Sequence, residues 1–382
     1  MNNKLLPDAQ LFLRAGIVEF GWGHPNNGLL PHAGLAHAAA HTFEQNSAAA
    51  LAYGPEQGPG RLISQLATWL GRSEGVSPAL DRILITGGNS QALDLLCTLL
   101  TQPGDRLLVE APTYHLALRI FRDHQLTLVP VASDEQGLRP DALEAALRLT
   151  PARLLYLVPT FNNPSGATLP LDRRYALLAI AQHYGVTILE DDVYRELWYD
   201  TPPPPALGQL DTSESVIRLC SFAKLVAPGL RLGWIVAPPS IVRRWVGCGV
   251  IDSGGGVNHL TAHIVANFLA LGLFDSHLST LREALGQRRD QLDAALQHAL
   301  PAPCHWQRPG GGFFVWINLP ADRNSDTLLE SAEAAGVSFL PGNRFYANHR
   351  GGERYLRLAF ALLSAAEMVE GARRLAEVVM RG

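Results

Sequence analysis

Cysteine is scarce in this chain. Its four copies in 382 residues, Cys97, Cys220, Cys248 and Cys304, stand far apart with no Cys-x-x-Cys pair. That spacing favours reduced thiols, as in a cytoplasmic protein, over a disulfide frame or a zinc site, and no metal is expected. Long apolar runs are absent, so nothing is read as spanning a bilayer. Pro7 and Asp8 interrupt the N-terminal stretch, which therefore lacks a signal-peptide core. Charge is sparse too: 17% of residues carry it, the formal net charge is −4, and Lys and Arg are scattered. Neither nucleic acid nor a membrane surface is an expected partner. There is no internal repeat, no low-complexity tract and no helix-turn-helix domain ahead of the main body.

What is present is a large apolar fraction, 47%. That length and composition fit a globular protein of two domains, or one large domain with an appendage. Short apolar runs recur at Arg82–Thr86, Arg106–Glu110, Leu126–Val131, Leu154–Pro159, Thr187–Asp191, Val216–Phe222 and Leu232–Ala237. They are continuous and often β-branched, as strands covered on both faces should be. Helical patterns lie between most of them, at Ser90–Leu100, Arg139–Leu149 and Leu171–Tyr184. The alternation predicts an α/β fold with a mostly parallel sheet flanked by helices, whose ligands bind at the carboxyl ends of strands. The Pro202–Pro205 segment reads as a loop and residues 240–290 as largely helical. From about residue 300 a Gly-rich turn (Pro309–Gly312), a strand (Phe313–Leu319) and further helix suggest a smaller α+β domain, with roughly the first 40 residues packed on it.

Three motifs sit at predicted strand ends, in order: Asn162-Asn163-Pro164-Ser165-Gly166, Glu190-Asp191-Asp192-Val193-Tyr194, and Ser221-Phe222-Ala223-Lys224, followed by Arg231. A lysine at the end of a buried strand is a candidate Schiff-base former, because desolvation favours its neutral, nucleophilic amine. An acid for a pyridinium nitrogen, an arginine for a phosphate and an asparagine for a phenolate oxygen are what pyridoxal phosphate requires. Each motif alone is weak; their conjunction is specific. The set resembles the fold-type-I aminotransferases of class I/II, in particular the subgroup with 2-aminoadipate and aromatic aminotransferases, over nearly the whole chain.

That resemblance implies a seven-stranded sheet in a large cofactor domain, residues 45–275, and a small domain from residues 1–44 and 276–382. Lys224 would carry pyridoxal phosphate covalently and later shuttle a proton. Asp191 would pair with the ring nitrogen; the family's Asp-x-x-Tyr spacing selects it with Tyr194, leaving Asp192 as the competitor. Tyr194 and Asn163 would bond the phenolate oxygen, and Tyr114 would stack on the ring. Thr86-Gly87-Gly88-Asn89-Ser90-Gln91 follows a strand and opens a helix, which suits an anion. Related enzymes usually read Gly-Ser-Gln-Gln there, so Gly88, Asn89 and Ser90 are the expected phosphate contacts, completed by Ser221 and Arg231. Tyr53 resembles a tyrosine that reaches the phosphate from a partner subunit, which implies a homodimer with shared sites.

Arg357, in Tyr355-Leu356-Arg357-Leu358-Ala359-Phe360, matches the arginine that grips the substrate α-carboxylate; Arg354 nearby is expected in solvent. Phe20-Gly21-Trp22-Gly23-His24-Pro25 resembles the loop closing over substrate, with a Gly23 backbone N–H and with Trp22 or His24 lining the pocket. The run Asp252-Ser253-Gly254-Gly255-Gly256 departs from relatives and suggests flexible or closely approached backbone. The activity implied is transfer of an amino group from an L-amino acid to a 2-oxo acid, in amino acid metabolism or biosynthesis. Two alternatives use the same residues: elimination, replacement or cyclising chemistry in specialised metabolism, and a non-catalytic sensor that binds the cofactor only to signal.

Overall fold

A computed structural model describes residues 14–254 and 256–381; the N-terminal stretch before residue 14, and Gly255 of the glycine run, lie outside the described residues. After a short β1 (Val18–Glu19), the chain builds a central sheet from β2 (Ile83–Thr86), β3 (Arg106–Ala111), β4 (Thr127–Asp134), β5 (Gly137–Leu138), β6 (Leu154–Leu157), β7 (Thr187–Asp191), β8 (Val216–Ser221) and β9 (Gly233–Val236). The order across the sheet is β2-β9-β8-β7-β6-β3-β4-β5. Strands β3, β4, β6, β7 and β8 pair in parallel, while β9 runs antiparallel between β8 and β2. The sheet thus has one strand more than the seven expected. The addition, β5, is a two-residue antiparallel edge piece on β4, too short to show any sequence period.

Both faces of the sheet are covered, which is why its strands read as unbroken apolar runs. Every residue of β2, β6 and β8 is buried. Complete burial of each large apolar side chain there contributes about 1.5–3 kcal/mol. The crossover helices include α3 (Asn89–Leu100), which follows α1 (His32–Leu51) and α2 (Gly60–Glu74), and α4 (His115–Asp123). The predicted helices at 139–149 and 171–184 are present as Pro140–Leu149 and Leu171–Tyr184. The second ends where Gly185 takes the left-handed conformation, at φ 65°. The proline segment is a loop, as expected, until one helical turn at Leu207–Leu210. The Glu190 carboxylate accepts the N–H groups of Leu207 and Gly208 there, both at 2.8 Å.

The C-terminal part forms β10 (Phe314–Asn318), β11 (Val337–Ser338), β12 (Leu340–Pro341) and β13 (Tyr355–Ala359). β10, β13 and β12 make an antiparallel sheet, and β11 pairs in parallel with β1. Val18, Phe20, Ile317, Val337, Leu356 and Met368 share one apolar cluster, so the N-terminal strand does pack with this part. The association does not extend to the first 40 residues. α1 packs instead on the helix His259–Ala270, beside the central sheet.

Candidate active site

The turn after β2 is shaped for an anion. Gly88 sits at φ 92°, and a Cβ there would lie 3.3 Å from Nη2 of Arg231. Glycine therefore allows both the backbone turn and the approach of the guanidinium. The carboxamide oxygen of Gln91 accepts the Gly87 N–H at 2.6 Å and holds the turn. Arg231 itself adopts the left-handed region at φ 47°, a conformation costly for a residue with a side chain. Among the described residues it has no carboxylate partner. Ser221 ends β8 and its Oγ accepts the Ala223 N–H at 3.1 Å, which leaves the hydroxyl proton free to donate. Ser90 is exposed in the first turn of α3.

Lys224 follows directly, in the helical turn Phe222–Leu225. Its Nζ donates to the carbonyl of Gly23 at 2.8 Å and lies 5.7 Å from the Phe313 ring centroid. Desolvation, then the positive charges of Arg357 and Arg231, push its pKa down to about 8. The expected Gly23 contact thus includes its carbonyl. Gly23 is closely packed: a Cβ would sit 3.0 Å from Cζ of Phe314, which would have to give way. On either side of it, Trp22 and His24 stack with ring centroids 6.1 Å apart. Buried Glu19 accepts the Trp22 indole N–H at 3.0 Å, so the loop is fixed from β1.

The choice between Asp191 and Asp192 is made by strand alternation at the end of β7. Asp192 turns away and its Oδ2 accepts from Arg218 Nε at 2.8 Å; Arg218 in turn pairs with Glu74 at 2.6 Å. Burial opposes ionisation of Asp192, yet Arg218, Arg195 and Arg174 hold its pKa below the usual range. Asp191 faces the lysine side. Its Oδ2 accepts from the Tyr156 hydroxyl at 2.7 Å and its Oδ1 from Asn89 Nδ2 at 2.8 Å. Burial lifts its pKa to about 6, against the pull of those two donors. The Asn89 side chain is therefore directed at the acid and not at the phosphate turn, a departure from expectation.

Arg357, on β13, is only 3% exposed. Its Nη1 donates to Asn163 Oδ1 at 2.9 Å and its Nη2 to the Gly21 carbonyl at 2.6 Å. Its guanidinium lies 4.2 Å from the Phe314 ring and 5.1 Å from that of Phe345. Its Nε is buried with no hydrogen-bond partner, and no carboxylate among the described residues pairs with it. Burial lowers its pKa to about 10. Asn163, having turned its oxygen to Arg357, keeps its NH2 group for another acceptor. Tyr194 is buried against Phe313 and Phe314, with ring centroids 5.4 and 5.7 Å away. Tyr114 caps α4, and burial followed by the Asp191 charge raises its pKa to about 12. Arg354 donates to the Leu319 carbonyl, outside this cluster.

Tyr53 is not part of this buried group. It is 92% exposed and its ring lies over Gly254, whose Cβ position would be 3.0 Å from Cε1. The glycine run is thus closely approached at Gly254, which has φ 91°. Sequence reasoning missed Tyr156, which looked like one more core residue of an apolar strand. It also missed Glu110, whose Oε2 accepts Asn162 Nδ2 at 2.9 Å and the Val158 N–H at 3.0 Å. That buried carboxyl, raised to about 8 by burial, holds the loop that carries Asn163.

This donor set fits pyridoxal phosphate. A glycine cradle beside an unpaired arginine suits the phosphate, a lysine with a lowered pKa suits the aldehyde, and a buried acid between two donors suits the ring nitrogen. Residues 13–375 match the family model for aminotransferase class I and II. The chain is 35% identical to the 2-aminoadipate transaminase of Thermus thermophilus, over 96% of this chain and 91% of that one. It is 33% identical to aromatic-amino-acid aminotransferase 1 of Thermococcus litoralis, over 95% and 88%. The solved Pyrococcus horikoshii kynurenine aminotransferase superposes with a TM-score of 0.90 at 32% identity, over 99% of this chain and 97% of that one. The chain belongs to the class I and II aminotransferases, fold-type-I enzymes that use pyridoxal phosphate to move an amino group from an amino acid to a 2-oxo acid.

Proposed function

We propose that the residues gathered around Lys224 divide the work of this transfer, and that the donor is an L-amino acid with an aromatic or other bulky apolar side chain. The observation that carries the reading is Arg357: a buried cation with an unpartnered Nε and no carboxylate of its own, beside a lysine of lowered pKa. Such a charge is costly to bury unpaired. A substrate α-carboxylate relieves it with a bidentate pair and so orients the α-carbon toward Lys224. Pyridoxal phosphate supplies the electron sink for the pair left when the α-proton departs. Lys224 Nζ would anchor the cofactor and would take up and carry the proton of the substrate α-carbon. Gly88, Ser90, Ser221, Arg231 and the α3 N–H groups take the phosphate, Asp191 the ring nitrogen, Tyr194 and Asn163 the phenolate oxygen, and Tyr114 the ring face.

The names of the aromatic-amino-acid and kynurenine relatives support the side-chain preference. Absorption spectra of the loaded protein, taken before and after a panel of amino acids, test it. Aromatic donors should bleach the visible band and release their 2-oxo acids. A donor consumed with release of ammonia instead would mark elimination chemistry and overturn the reading.

The lowered lysine pKa has a kinetic consequence. Capture of pyridoxal phosphate by the cofactor-free protein needs the neutral amine, so its rate should rise with pH and level off near pH 8. For an unperturbed lysine the rise would continue toward about 10.4. Stopped-flow absorbance reads this directly, and a rate still climbing at pH 10 would contradict it.

Exposed Tyr53 belongs, in this reading, to the site of a second copy, in a cytoplasmic homodimer serving biosynthesis. The division into 45–275 and 1–44 with 276–382 is part of the same reading: Val18 and Phe20 share a cluster with the C-terminal strands, whereas α1 joins the cluster beside the central sheet. Mixed dimers of Tyr53→Ala and Lys224→Ala chains should recover activity that neither variant has alone, because one site per dimer is then intact. If mixing restores nothing, Tyr53 does not act across a subunit boundary.

A further inference from the structure

Asp191 is the one acid facing the lysine side, and both of its oxygens are already engaged from opposite directions. Tyr156, fully buried on β6, donates to Oδ2 at 2.7 Å. Asn89, the first residue of α3, donates to Oδ1 at 2.8 Å. A carboxylate has about four lone-pair positions, so two donors fix its plane without filling it. The orientation of the Asn89 amide is informative. Its own Oδ1 is buried with no partner. Flipping the amide would set that oxygen against the carboxylate, so the NH2 faces Asp191 even though the carbonyl is left unsatisfied. The backbone N–H of Asn89 stays at the open end of α3, on the phosphate side.

We propose that Asn89 and Tyr156 are positioning residues that clamp Asp191 in its ionised form and aim it at the ring nitrogen, with Asn89 serving the phosphate only through its backbone. The inference rests on the reading of Asp191 as the ring-nitrogen partner. The other ionisable groups around this carboxylate are Tyr114 at the start of α4, Tyr194, Asp192 next along the chain and Lys224 after β8. Asp192 is held by Arg218, and Lys224 contributes positive charge. Neither donates a hydrogen bond to Asp191 among the described residues. Burial drives the carboxyl toward its neutral form, and the two clamp donors oppose it most strongly, with a smaller contribution from the Val193 N–H.

The test is the pH dependence of affinity for unphosphorylated pyridoxal, which lacks the phosphate's own ionisation at about pH 6, measured by equilibrium titration of the cofactor-free protein. In the unsubstituted chain affinity should rise as Asp191 ionises, with an inflection near pH 6. Tyr156→Phe keeps the ring and removes the donor. It should move the inflection upward by roughly one to two pH units, the equivalent of one hydrogen bond to a charged group. A change that only loosened packing would lower affinity at all pH values and leave the inflection in place, which would overturn the clamp. Asn89→Ala should move the inflection likewise, and should weaken pyridoxal phosphate and unphosphorylated pyridoxal by the same factor. A loss confined to the phosphorylated form would return the Asn89 side chain to the phosphate and overturn its half of the proposal. Asp191→Asn is the control. It should abolish the inflection, and if the inflection persists there, the underlying reading of Asp191 fails as well.

Discussion

Lys224→Ala should lose covalent capture of pyridoxal phosphate and lower the rate of amino transfer by roughly 10⁴-fold or more, the loss expected when a nucleophile and a proton carrier vanish together. The cofactor itself should still bind. In the proposed reading Gly88, Ser221 and Arg231 would hold the phosphate and Asp191 the ring nitrogen, and none of them hydrogen-bonds the lysine. Arg231 and Asp191 are set by the chain around them: the first by its own backbone conformation, the second by Tyr156 and Asn89. The check is borohydride reduction followed by mass measurement of the intact chain. The unsubstituted protein should gain the mass of the reduced cofactor, and the variant should not. A variant that still carried the adduct would place the anchor on another lysine.

Arg357→Met should separate function from stability. The substitution removes a guanidinium that has no counter-ion among the described residues, and its unsatisfied Nε goes with it. A methionine fills the space beside Phe314 and Phe345, and relief of a buried unpaired charge offsets the loss of the donors to Asn163 Oδ1 and the Gly21 carbonyl, so the cofactor-free protein should melt close to the unsubstituted one. Substrate binding should move the other way. Loss of a charge-assisted pair costs about 1.5–3 kcal/mol, which raises KM for the amino acid by roughly 10- to 150-fold. Steady-state kinetics with thermal melts of the same preparations checks both arms. An unchanged KM would move carboxylate binding elsewhere, and a large fall in melting temperature would show Arg357 to be structural.

Much of this site was legible in the chain because its residues occupy strand ends. Apolar runs announce the strands, and a lysine, an acid or an asparagine breaking such a run at its carboxyl end stands out. That is how Lys224, Asp191 and Asn163 were found. Tyr156 was invisible for the converse reason: it lies inside a run, where an aromatic is the ordinary filling of a sheet. Glu19 and Glu110 were passed over because their partners, Trp22 and Asn162, are joined to them only through side-chain hydrogen bonds. Asn89 was found but read for the wrong atom, since a residue opening a helix presents both a backbone donor and a side chain, and only the fold sets where the side chain turns.

The sequence by itself determined the α/β architecture and the family, and it supplied the candidate cofactor anchor, because these depend on local periodicity and on motifs a few residues long. The tertiary structure decided which of two adjacent acids faces the lysine, by giving Asp192 to Arg218 across the sheet. It also left Arg357 without a counter-ion among the described residues. Both outcomes depend on charges brought together from distant parts of the chain: Asp192 meets Arg218, 26 residues on, and Arg357 meets Asn163, 194 residues before it. No local pattern encodes such a meeting, since it exists only once the strands have taken their places in the sheets.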